Sequence, residues 1–294
     1  MKILCFILST FLIQNGFAQN KSPLKLNEDN NSLLWQVSGN GLTEPSYIFG
    51  TIHMMCKEDI NFSENLKKAL ASSSELYLEM DLDDPTAMMK GLSLMTMKDN
   101  SLKDFYTDEE YNRIKTYFND SLKVPFAMMQ KMKPLFLQAL IYPKMMPCLN
   151  LSSVEQELLI IAKKDNKPVN GLETMEFQAS VFDSIPYKEQ ADGLLKSIDS
   201  VNNYGIEFSK MLTSYKTQNL SEIQSLFNKS DYGNEKQKSV LLDNRNVKWV
   251  NELKKIMKEN SVFVAVGAGH LPGNMGLIEL LKNAGFKLTP LYNK

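Results

Sequence analysis

Apolar and polar positions alternate with a period of two at both ends of this chain and follow a helical period through most of its middle. Leu33-Leu34-Trp35-Gln36-Val37-Ser38 predicts a strand, Gly39-Asn40-Gly41 with Pro45 a turn, and Ser46 to Thr51 the returning strand of a hairpin. Ser63 is placed to cap a helix through about Ser73, with Leu66, Ala69 and Leu70 on one face. Glu75 to Asp81 alternates strictly, so Leu76, Leu78 and Met80 share one face while Glu75, Tyr77, Glu79 and Asp81 share the other. From about Pro85 to Asn234 the pattern is mostly helical. Thr107 with Glu110, and Ser153 with Gln156, have the spacing of capping boxes. Pro168 to Glu173 interrupts as a short strand, and Ser221 opens a helix over 222–228. Leu241 to Glu259 predicts a long helix. Val262-Phe263-Val264-Ala265-Val266 is a continuous apolar run, the mark of a strand buried on both faces. A glycine-rich loop, a helix from about Met275 to Ala284 stopped by Gly285, and a strand from Phe286 to Leu291 complete a βαβ unit.

These elements predict an α/β chain with α+β leanings. No Pro/Gly/Ser-rich linker divides it, so residues 19–294 read as a single domain carrying a helical insertion at about 85–234. Residues 1–18 read as a signal peptide. Met1-Lys2 is positive, Ile3 to Ile13 is apolar but too short for a permanent span, and small residues precede a cleavage point after Ala18. Export to a periplasm or the cell exterior is expected, with no integral membrane anchor.

Composition narrows the chemistry a little. The formal net charge of −1 gives no electrostatic reason to expect a nucleic acid partner. Cys56 and Cys148 remain after cleavage. Cys56 can be a thiolate ligand, the disulfide partner of Cys148, or a buried apolar residue, the last being the ordinary fate of a cysteine. Met88, Met89, Met95, Met97, Met128, Met129, Met132, Met145 and Met146 crowd the insertion. At helical spacing they read as core before they read as an adaptable peptide surface. Phe105, Tyr106, Tyr111 and Phe118 read the same way.

The two histidines carry the sharpest signal. Tyr47-Ile48-Phe49-Gly50-Thr51-Ile52-His53 and Val264-Ala265-Val266-Gly267-Ala268-Gly269-His270 both run from an apolar strand through a glycine to a histidine three residues on. The chain has only 14 glycines in 294 residues, so a matched glycine before each of its 2 histidines is improbable by chance. Each histidine is placed where a strand ends, the edge at which open α/β sheets bind ligands. Two imidazoles from neighbouring strands then suit a divalent metal ion. Carboxylates complete the set. Glu79 comes first, on the polar face of a strand expected beside that of His53, and Glu173, ending its own strand, comes second. Such ligands suit Zn²⁺, Mn²⁺, Co²⁺ or Fe²⁺ alike.

At these residues the chain resembles the TraB/GumN family, related to the Tiki metalloproteases and more distantly to ChaN and erythromycin esterase proteins. The resemblance rests on Tyr47 to His53, Glu75 to Asp81 around Glu79, Gly171-Leu172-Glu173-Thr174, Arg245-Asn246 and Gly267-Ala268-Gly269-His270. It implies a mixed central sheet built from two related halves, and metal-dependent peptidase activity needing His53, His270 and Glu79. The second motif departs as Gly-x-Gly-His, a looser loop expected to hold His270 less firmly.

The expected function is therefore a metal-dependent hydrolase, a peptidase acting on peptides or protein termini outside the cytoplasm. His53, His270 and Glu79 hold the ion, Glu173 is base or further ligand, and Arg245 orients substrate. An arginine on that helix can clamp a carboxylate or an oxyanion, or it can simply face solvent. The alternative is a non-catalytic envelope protein that sequesters a peptide or a haem-like ligand. Oligomeric state is not legible.

Overall fold

The computed structural model describes residues 31–81, 91, 93–230 and 233–292. The expected signal peptide, and Met88 and Met89, lie outside them. Among the described residues eight strands are formed: β1 (Leu34–Ser38), β2 (Ser46–Thr51), β3 (Met55–Cys56), β4 (Glu75–Met80), β5 (Leu151–Ser152), β6 (Val169–Glu173), β7 (Val262–Gly267) and β8 (Lys287–Leu291). Six of them make one sheet in the order β6-β4-β7-β2-β1-β8, while β3 and β5 pair separately. β6, β4, β7 and β2 are mutually parallel, and β1 and β8 add antiparallel pairings. The sheet is mixed and the class is α/β.

Patterning explains the order. Val262 to Val266 are fully buried, so β7 takes the middle, between the two parallel strands β4 and β2. β4 buries only alternate residues and lies further out. The strand of Glu79 therefore neighbours the second histidine strand rather than the first, a correction to the sequence reading. The C-terminal βαβ unit is also split: β8 pairs with β1, and the hairpin β1–β2 stands between it and β7. Pro290 in β8 lacks an N–H to donate, and its strand accordingly lies at the sheet edge.

Helices Glu64–Ser72, Val154–Lys164, Asn244–Glu259 and Leu277–Asn283 bury Leu66, Leu70, Leu158, Trp249, Leu253 and Leu281 against the sheet. A second apolar cluster, within residues 97–198, joins Met97, Leu102, Ile114, Phe118, Phe126, Leu137 and Leu194. Phe105, Tyr106, Tyr111, Met129, Met132 and Met145 pack on its rim, so these residues are core or core rim, whereas Met128 is 83% exposed.

Local signals mostly carry through. Ser63 caps its helix by accepting from the Leu66 N–H, and Thr107 and Glu110 form both halves of a capping box. Two boundaries move. The helix expected from Ser221 begins at Leu220, because Asn219 Oδ1 accepts from the Glu222 N–H and takes the cap. The helix expected from Leu241 starts as a π-helical turn, Ser239–Asp243, before Asn244–Glu259. Cys56 is neither a free core thiol nor a ligand: it is bonded to Cys148, 92 residues on.

Candidate active site

Four parallel strands deliver their carboxyl ends to one edge of the sheet. His53 follows β2, Glu79 is the penultimate residue of β4, Glu173 ends β6, and His270 closes the short turn Ala268–His270 after β7. Thr51 is paired with Gly267 across β2 and β7, so the two Gly-x-x-His segments leave neighbouring strands side by side. A Cβ at Gly267 would stand 3.2 Å from Glu79 Oε1, 3.7 Å from His270 Cδ2 and 3.9 Å from His53 Nε2. Glycine there lets all three groups crowd one strand end.

His270 is the firmly held histidine, so the looseness expected of its glycine-rich loop is not found. It is 3% exposed and packs on Trp249 with ring centroids 4.5 Å apart. Asn246 Nδ2 donates to the carbonyls of His270 (3.3 Å) and Met275 (2.7 Å), which leaves Asn246 Oδ1 facing His270 Nδ1 at 2.7 Å. That oxygen can only accept, so the proton sits on Nδ1 and Nε2 is left as the acceptor. Burial pushes the imidazole down to about 3, against the pull of Glu79 and with Arg245 reinforcing it. His270 is neutral.

His53 is the exposed partner, with 72% of its side chain open to solvent. Its Nδ1 lies 2.8 Å from Glu155 Oε1, which also accepts from the Thr51 hydroxyl at 2.5 Å. The hydrogen bond to Glu155, with its charge and that of Glu79, draws the imidazole up to about 9 against Arg245. Glu155 Oε2 is buried, with no hydrogen-bond partner among the described residues.

Arg245 organises the rest. Expected to be exposed or functional, it is 6% exposed. Its Nε donates to Glu173 Oε1 and Oε2 at 3.0 and 3.1 Å, and Nη2 to Glu173 Oε2 at 2.8 Å and to Glu79 Oε2 at 2.6 Å. Nη1 donates to the Leu241 carbonyl at 3.0 Å and stands 3.3 Å from His270 Nε2. The guanidinium lies 4.7 Å from the centre of the Trp249 ring. Burial pushes the Glu79 carboxyl up, but His270, Arg245 and the Gly267 N–H, at 2.8 Å from Oε1, hold it at about 2. With His270 neutral, Arg245 and, in its protonated form, His53 are the charges that keep Glu79 ionised. The Glu173 side chain is wholly buried behind Arg245 and does not line the cleft.

That cleft measures about 640 Å³. His53, Glu79, Glu155, Arg245 and His270 form its polar floor, and Phe136, Phe182, Met211, Ile223, Phe227 and Leu242 its walls. Its chemistry fits a divalent ion. Two imidazoles offer Nε2 with Nδ1 tied to an outer acceptor, the usual support of a metal-bound histidine. Carboxylates outnumber the single guanidinium three to one. His270 Nε2 and Glu79 Oε1 are 3.8 Å apart. Among the described residues the set of such donors within 4.8 Å of one another is Cys56, Glu58 and Cys148, so a His53, His270 and Glu79 set would close only with an inward turn of the exposed His53 ring.

Sequence reading did not find Glu155, whose contact with His53 spans about a hundred residues of chain; its only local trace is a place in the first turn of a helix capped by Ser153. Asn246 lay within a recognised dipeptide, but nothing local ties it to His270.

A family model described as TraB/PrgY/gumN matches residues 33–290. Metalloprotease TIKI2 of Xenopus tropicalis is 33% identical over 124 residues, 39% of this chain and 23% of that protein. Metalloprotease TIKI2 of Danio rerio is 22% identical over 89% of this chain and 61% of its own length. For Metalloprotease TIKI1 of Danio rerio the figures are 24%, 88% and 63%. The chain thus spans less than two thirds of the length of these relatives. No solved structure gives a significant match. With the family model covering the sheet up to Pro290 and all of the site residues named above, the chain belongs to the TraB/PrgY/gumN family.

Proposed function

We propose that the protein is an exported, metal-dependent hydrolase of peptides or protein termini. The observation that carries this is the gathering of His53 Nε2, His270 and Glu79 Oε1 around Gly267, at the floor of an apolar cleft. His53, His270 and Glu79 would hold a Zn²⁺, Mn²⁺, Co²⁺ or Fe²⁺ ion. When bound, such an ion supplies Lewis-acid polarisation of a carbonyl and eases deprotonation of water. Arg245 keeps Glu79 ionised and offers Nη1 to an oxyanion developing beside His270. Glu173, expected as base or ligand, is reassigned to holding Arg245, since both of its oxygens are engaged there. The apolar walls exclude water and receive the side chains of an extended substrate. The metalloprotease names of the relatives support the reaction class.

Export is part of the same proposal. The N-terminal pattern supports it, as does the Cys56–Cys148 disulfide, since such bonds persist in oxidising compartments. Among the described residues no helix is long and apolar enough to cross a membrane.

A second reading, ligand binding without turnover, draws on one observation: Arg245 already occupies both Glu79 and the face of His270. A peptide-library cleavage assay separates the two. Hydrolysis abolished by a chelator and restored by Mn²⁺ or Zn²⁺ is expected, and ligand capture without cleavage would overturn the hydrolase reading.

Metal affinity should depend on pH with a definite sign. Below about 9, His53 carries a proton that an incoming ion must displace. Affinity should rise roughly tenfold per pH unit from about pH 7 to 9 and then level off, with solvent screening at the exposed ring lowering the upper limit. Trp249, packed between His270 and Arg245, reports binding through its fluorescence. A flat profile would remove His53 from the ligand set.

A further inference from the structure

His270 is fixed by burial, by Trp249 and by Asn246, whereas His53 has no comparable packing. Its ring is mostly in solvent, and its hydrogen bond among the described residues runs from Nδ1 to Glu155. We propose that Glu155 is a positioning residue: it holds the His53 ring by Nδ1, so that in the neutral ring the proton stays on Nδ1 and the Nε2 lone pair faces Gly267. The proposal rests on the metal reading of the same cleft. It gives Glu155 the part for His53 that Asn246 plays for His270.

The surroundings of Glu155 are built to hold it there. β3 pairs with β5, the Lys57 N–H donates to the Asn150 carbonyl at 2.9 Å, and the Val154 N–H donates to the Ile52 carbonyl at 3.2 Å. The Cys56–Cys148 bond closes the same junction. These ties join the loop bearing His53 to the segment bearing Glu155, and the Ser153 cap fixes where the helix, and with it Glu155, begins. Thr51, in register with Gly267, donates its hydroxyl to the same oxygen that receives His53.

Glu155 is 7% exposed, and among the described residues its hydrogen bonds run to His53 and Thr51 through Oε1, so the buried carboxylate is aimed at the His53 loop.

The test uses the full chain labelled with ¹⁵N-histidine, whose spectrum holds two imidazoles because the protein has 2 histidines. At pH 10 wild type should show both rings with the proton on Nδ1. Glu155→Leu should move His53 alone to the Nε2–H form that free imidazole prefers, and Glu155→Gln, which keeps an acceptor, should retain Nδ1–H. Mn²⁺ affinity, read from Trp249 fluorescence, should fall about 10–100-fold in the leucine variant and less in the glutamine variant. The melting temperature of Glu155→Leu should stay close to that of wild type, the carboxylate's desolvation no longer opposing folding while the buried Thr51 hydroxyl loses its acceptor. Should that variant not fold, Glu155→Ala gives the same reading of tautomer and affinity. An unchanged His53 tautomer, or unchanged Mn²⁺ affinity in a wild type that binds it, overturns the proposal. A wild type that binds no Mn²⁺ overturns the metal reading instead, and the tautomer still decides the role of Glu155.

Discussion

Arg245→Ala should lower the stability of the metal-free protein by about 3–5 kcal/mol, the usual cost of removing one partner from a buried ionic cluster. The reason lies in what is left behind. Glu173, with no side-chain exposure, loses three hydrogen bonds, and Glu79, with 11%, loses its closest positive charge. Two carboxylates then share a dry space. The loss should depend on pH. In wild type, the Glu79 carboxyl is held at about 2, below its ordinary value, so its contribution is present above the unfolded carboxylate range and disappears as pH falls through about 2. The gap between wild type and Arg245→Ala should therefore be widest near neutrality and narrow below about pH 4. Arg245→Lys should recover only part, because an ammonium cannot span two carboxylates as the planar fork does. The double change Arg245→Met with Glu173→Leu should regain much of the stability while leaving the cleft without its cation. Urea unfolding at pH 7 and at about pH 3 measures all of this. An Arg245→Ala protein within about 1 kcal/mol of wild type at pH 7 would mean that the guanidinium is not the keystone of the cluster.

The second large effect concerns the disulfide. Cys56 and Cys148 close a span of 92 residues. By the chain-entropy estimate, opening it stabilises the unfolded chain by about 4–5 kcal/mol. Cys56→Ser with Cys148→Ser should lower the denaturation midpoint accordingly and raise the m-value, since the freed unfolded chain exposes more surface. The effect should not stay global. The junction of β3 and β5 stands directly behind His53 and Glu155, so the double variant should also show a weaker coupling of the His53 ring to Glu155. Unfolding that is unchanged by the double substitution would place the stability of this region elsewhere, in the β3–β5 pairing itself.

Much of the scaffold could be read from short stretches of chain. The alternation of Glu75 to Met80, the unbroken apolar run of β7 and the turn at Gly39-Asn40-Gly41 each report burial within a few residues, and the elements they imply are present. The convergence of the histidines was legible for a related reason. Two identical strand-to-loop signatures imply equivalent places in a parallel sheet, and β2 and β7 are indeed neighbours. Strand order was less so. Placing Glu79 beside His53 ignored that the most apolar strand claims the centre, and β7 came between them. The outer groups were illegible in principle. Glu155 meets His53 across about a hundred residues, and Glu173 meets Arg245 across 72, contacts created by folding that leave no periodic trace in sequence. For the same reason Glu173 looked like a free carboxylate at a strand end, when its charge is spent on an arginine.

Crystals of the full-length protein soaked with Zn²⁺ offer the most direct measurement, through anomalous scattering at the zinc edge. One strong peak should lie at the cleft floor, about 2.0–2.2 Å from His53 Nε2, His270 Nε2 and a Glu79 oxygen, and it should be absent from His53→Ala and His270→Ala crystals. A cleft without a peak, or zinc bound only near Cys56, Glu58 and Cys148 while Arg245 still covers His270, would contradict the account.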